Sequence, residues 1–155
     1  MSKYDGVTHS RLKAINLEAD TATVTQLNLA TNVLNVRKRF TIAEVNAGAT
    51  LVAAVTGKSI RMVNCKAIAV GGAAGAVTTV DVLATLSTGR KLVAFAQANL
   101  TQSAVLTAGG TGAAVLADGA SYTANDAGTA VTVGKTGSNV TTATHIDVIF
   151  DYVLE

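Results

Sequence analysis

The sequence predicts an all-β fold: an antiparallel β-sandwich or barrel with an extended N-terminal β arm. Three observations carry this. Short runs rich in Val, Ile, Thr and Leu recur roughly every 10–14 residues, broken by Gly, Asn, Asp and Ser. The last run alternates between two faces, a period that belongs to a half-buried strand. Helix signals are poor, and the Ala-rich stretch GAAVLADGASY is flanked by glycines that argue against more than one turn.

The chain has 155 residues, enough for one domain with an arm. Residues 1–36 read as the arm and residues 37–155 as the sandwich. Hydrophobic residues make up 49%, but aromatics only 4%, and there is no Trp. The apolar content is therefore Ala, Val, Leu and Ile, which bury little area each. A core of this kind gains from burial between subunits. Charged residues are 14%, below the usual quarter of a globular chain. A net charge of +2 is too small to point to nucleic acid. No apolar run is long enough for a membrane span, and MSKYDGVTHSRLK lacks the apolar stretch of a signal peptide. Cys65 is the sole cysteine, so no internal disulfide is expected.

Within the body, RKRFTIA (37–43) reads as the first strand. EVNAGATLV supplies a turn at Asn46–Gly48 and a second strand reaching about Val55. TGKS turns into IRMVNCKAIAV (60–70). GGAAGA (71–76) reads as a flexible loop, followed by VTTVDVLATL (77–86), the turn STGR and KLVAFAQANL (91–100). AVLTAGG (104–110) and GAAVLADGASY (112–122) are weaker runs. TAVTVGKT (129–136) is clear, and THIDVIFDYVLE (144–155) closes the chain. In that last run Thr144, Ile146, Val148, Phe150, Tyr152 and Leu154 share one face. His145, Asp147, Ile149, Asp151, Val153 and Glu155 share the other.

The arm has a different texture. Its apolar residues are Ile15, Leu17, Val24, Leu27, Leu29, Leu34 and Val36, and their parity flips from group to group. A single flat strand keeps one parity, so short extended rungs are expected, with partners on other chains. Residues 14–36 fully extended reach roughly 75 Å at about 3.3 Å per residue. Arg37, Lys38 and Arg39 form the densest charge cluster, at the junction of arm and body. They are expected to make electrostatic contact with an acidic partner surface.

No stretch reads as a catalytic or cofactor site. His145, Asp147 and Asp151 on one strand face are a weak metal or acid–base constellation and read better as a solvated face. The Gly-rich stretches lack the Lys and Ser/Thr that complete a phosphate cradle. Cys65 has no base nearby in sequence and reads as a small buried hydrophobe. Asp81, Asp118 and Asp126 read as turn residues. The expectations are no catalytic residues, no cofactor, no metal and no enzymatic activity.

From Phe40 onward, the phrases AEVNAGATLV, LTQSAVL and TAVTVGKTGS give the chain a resemblance to the capsid decoration, or cement, proteins of tailed bacteriophages. That resemblance implies a jelly-roll or sandwich, often a homotrimer, made in the host bacterial cytoplasm and mounted on the outer capsid surface of the virion. The implied partners are the major capsid protein and further copies of the chain itself, with no nucleic acid and no membrane. The alternative function is a trimeric head- or tail-fibre module binding host-surface carbohydrate, for which the few Tyr and Phe rings are poor equipment.

Overall fold

A computed structural model describes residues 32–84, 91–109, 114–115 and 125–155. Among these, β1 is Leu34–Thr41, α1 Ile42–Ala47, β2 Ala49–Val52, β3 Ile60–Val70, β4 Gly75–Ala84 and β5 Lys91–Ala96. The remaining strands are β6 Val105–Thr107, β7 Ala114–Val115, β8 Val131–Val140 and β9 His145–Leu154. One sheet has the order β1-β9-β3-β6 and the other β2-β8-β4-β5-β7, with every ladder between them antiparallel. With the two-residue β7 set aside, eight strands remain in the interleaved order of a jelly roll: first, last, third and sixth in one sheet, the others in the second.

The core follows from the alternation. Ile146, Val148 and Phe150 of β9 point inward and are fully buried, while His145, Ile149 and Asp151 on the other face are only half-buried. Val82 and Ala84 of β4 face Val133 and Val131 of β8 across the ladder, and Val80 is buried beside them. Phe40, Phe95 and Phe150 are the largest buried side chains. The three phenylalanines of the chain are therefore all spent in the core. Tyr152 stacks on Phe150 with ring centroids 5.7 Å apart.

Four local features depart from the sequence reading. The first strand begins at Leu34, so Leu34 and Val36 belong to the body. They pair with Tyr152 and Phe150 of the same chain and pack against its core. The boundary placed between residues 36 and 37 therefore moves back to the start of β1. The strand run expected to reach Ala43 ends at Thr41, where a helical turn begins. Thr41 accepts a bond from the Glu44 backbone N–H at 3.3 Å, and the Glu44 carboxylate accepts one from the Thr41 N–H at 2.8 Å. This is a capping box. The Thr41 N–H holds the Glu44 carboxyl below its ordinary range.

The GGAAGA loop is packed rather than loose. A Cβ on Gly71 would collide with the Thr144 hydroxyl, and one on Gly72 would meet the Thr142 carbonyl oxygen at 2.6 Å. Gly71 also has φ of 78°, so glycine here permits both the left-handed turn and close approach to the β8–β9 connection. Asp81, read as a turn residue, stands in the middle of β4. Asp118 lies outside the described residues, while Asp126 does sit at a turn, accepting from the Thr129 N–H.

Candidate interaction surface

The outer face of the β1-β9-β3-β6 sheet brings together Arg37, Arg39, His145, Asp147 and Asp151 among the residues that the sequence singled out. Odd-numbered residues of β1 and β9 point outward, so Arg37 and Arg39 lie opposite Ile149 and Asp147. Arg39 donates from Nε to one carboxylate oxygen of Asp147 at 2.7 Å and from Nη2 to the other at 2.9 Å. Arg37 adds a longer ion pair at 3.6 Å. The Asp147 side chain is only 5% exposed beneath them, whereas Arg39 stays 60% exposed. The two-point bond from Arg39 holds the Asp147 carboxyl below its usual range, against the opposing effect of burial.

Lys38 departs from its neighbours. Strand parity turns it inward, where Nζ donates to the Thr50 carbonyl at 2.7 Å and lies 4.9 Å from the centre of the Phe40 ring. The expectation that all three basic residues face a partner is therefore corrected for Lys38. Its ammonium bridges β1 to β2 at the open corner between the sheets. An inward-leaning charge is one of the ways in which proteins obstruct an edge strand.

β3 supplies the next column. Ile68 pairs with Asp147 and with Val105 of β6, and Lys66 pairs with Ile149 and Thr107. A bulge between Met62 and Asn64 turns Val63 outward, where it is 54% exposed. Arg61 forms an ion pair with Glu155, and Asn35 donates to Asp151. The result is a sheet face of alternating charged and aliphatic side chains. The apolar members of that face on β3 and β6 were missed in the sequence. Their one signal, the outward parity of Val63, is masked by the bulge that resets it.

His145, Asp147 and Asp151 do share this face, as the alternation predicts. His145 Nδ1 lies 2.9 Å from the Thr144 hydroxyl. Among the described residues no three His, Cys, Asp or Glu side chains gather closely enough to hold a metal ion. Cys65 is buried in β3, and burial pushes its thiol well above the ordinary range, which removes thiolate character. Ile15, Leu17, Val24, Leu27 and Leu29 lie outside the described residues.

The opposite outer face, on the second sheet, holds a closed polar cluster. Asp81 is 1% exposed although it points away from the core. Thr79 and Thr136 each donate a hydroxyl to its carboxylate at 2.6 Å, and Lys91 Nζ lies 3.3 Å away. Lys91 also donates to Thr136. Every oxygen of Asp81 is thus answered by its own chain.

Among the described residues no helix is long and apolar enough to cross a membrane. Compared with protein-family models, with curated proteins and with solved structures, the chain has no match.

Proposed function

We propose that the chain is a structural virion protein, a capsid decoration protein that binds the outer surface of a phage head and stabilises contacts between major capsid subunits. The observation that supports it most is how the N-terminal segment joins the body. That segment runs directly into β1, whose eight residues all pair with β9, and Arg39 clamps the middle of this ladder to Asp147. Tension on the segment is then borne by many backbone bonds loaded together, along an edge strand held against the inner strand β9. A tether of that design suits a protein that holds neighbours together. Each bound copy adds area that must be exposed again when capsid subunits part, which stabilises the shell by mass action. Repetition by symmetry multiplies weak contacts into avidity.

Carbohydrate binding is less well supported. Sugar sites use exposed aromatic platforms, and Phe40, Phe95 and Phe150 are all buried. Co-sedimentation with purified phage capsids tests the proposal. The full chain is expected to bind saturably, at a stoichiometry set by capsid symmetry, and loss of residues 1–31 is expected to weaken binding. A chain that never pellets with capsids, and that instead gives hits on a glycan array, would favour the fibre-module reading.

A further inference from the structure

The outer face of the β1-β9-β3-β6 sheet exposes aliphatic side chains that the core of its own chain does not use. Val33, Val63 and Val105 are 58%, 54% and 56% exposed, three of the four exposed large hydrophobics among the described residues. Ile68 and Ile149 lie half-buried between the strands that carry them. Exposed aliphatics grouped on one face mark a surface that something covers. Around Ile68 and Ile149 stand three cations, Arg37, Arg39 and Lys66, against two carboxylates, Asp147 and Asp151. That part of the face therefore keeps a small positive excess.

The sequence contains a segment of matching chemistry. Residues 14–31 carry Ile15, Leu17, Val24, Leu27 and Leu29, with Glu18 and Asp20 and no Lys or Arg. Extended, they reach roughly 60 Å at about 3.3 Å per residue, while four strands span only about 15–20 Å. The segment enters β1 at the end of the sandwich where Leu34 pairs with Tyr152. Reaching its own sheet face requires a reversal just before β1, where residues 28–33 offer Asn28 and Asn32 as turn residues but no Gly or Pro. The free edge of β1 is a poorer receptor than the face, because Lys38 obstructs it by leaning across to Thr50.

We propose that the outer face of β1-β9-β3-β6 receives residues 14–31 of a second copy of the chain. The aliphatic residues of the segment cover Val63 and Val105, and Glu18 and Asp20 are set toward Arg37, Arg39 and Lys66. This rests on reading the N-terminal segment as an assembly element and adds the surface that receives it. Segment-to-face contact is heterologous, so it closes into a ring of defined size when the rotation permits.

The test uses the full chain and sedimentation over a range of concentrations. A face variant combines Val63→Asp with Val105→Asp, and a segment variant combines Glu18→Lys, Asp20→Lys and Leu27→Asp. Unchanged circular dichroism establishes that each still folds. The parent chain is expected to self-associate, and each variant to weaken that by at least about tenfold, or ~1.4 kcal/mol. Mixing the two variants is expected to give one-to-one dimers, since one sound segment then meets one sound face. A parent chain that stays monomeric overturns the inference, as does a face variant that associates like the parent or a mixture that forms no dimers. Capsid co-sedimentation of the same variants is scored separately. Self-association that the variants weaken as expected, in a chain that never pellets with capsids, keeps this inference and overturns the decoration reading; a parent chain that pellets with capsids but stays monomeric does the reverse.

Discussion

Each sheet of the sandwich carries one aspartate that points away from the core and is nonetheless buried, and the two are held in opposite ways. Asp81 sits in β4 beneath the hydroxyls of Thr79, on the same strand, and Thr136 of β8, with Lys91 of β5 beside it. Asp147 sits in β9 beneath Arg39 and Arg37, long side chains that remain largely in water. The first arrangement is sealed and leaves nothing for a partner to bind. The second fastens the N-terminal strand to the body while presenting two guanidinium groups outward. Burial of a carboxylate thus marks internal architecture on one face and a fastened but open surface on the other.

The largest effect is expected at the sealed site. Asp81→Ala removes the anion from a buried pair and leaves Lys91 with the Thr136 hydroxyl. It should cost about 3 kcal/mol, at the lower end for breaking such a pair because Lys91 retains some contact with water. Urea denaturation measures it, and a loss no greater than that of Asp147→Ala would break the contrast. Asp147→Ala should cost less, about 1.5 kcal/mol, since Arg37 and Arg39 return to solvent once released. Hydrogen exchange should rise first in β1, because that strand loses its clamp.

Acid sharpens the comparison further. The Asp147 carboxyl titrates below its unfolded value, which lies near ~3.9. Its contribution is therefore complete above that value and fades as pH falls through the folded one. The stability gap between the parent chain and Asp147→Asn should narrow from pH 7 to pH 3; a constant gap would deny the Arg39 bond its role. Arg39→Lys should have a smaller effect than removing Asp147, because an ammonium keeps the charge but loses the two-point fork. Thermal melting of the two variants side by side ranks them. The smallest change is expected at Val105→Ser, within about 0.5 kcal/mol. A larger loss would show that this valine serves the fold, leaving less of the outer face for a partner.

Much of the architecture was legible in particular residues. The inward set Ile146, Val148 and Phe150 and the outward set His145, Asp147 and Asp151 are as the alternation of the last run predicts. The runs at 60–70 and 91–100 contain β3 and β5, the second shortened where residues 97–99 turn and Leu100 folds back into the core. The helical turn after β1 was also written locally, as Thr41 followed three residues later by Glu44, but apolar Ile42 and Ala43 made it read as strand.

What the chain alone determined was whatever repeats at short range: strand periodicity, inward and outward faces, and a core of small aliphatic residues around three phenylalanines. Only the tertiary structure decided which distant residues share a neighbourhood. Arg39 meets Asp147 across 108 positions, Thr136 meets Asp81 across 55, and Gly71 is glycine because Thr144 lies against it. Those choices depend on which strands become neighbours, and that is set by minimising exposed apolar area over the whole sandwich rather than by any local pattern.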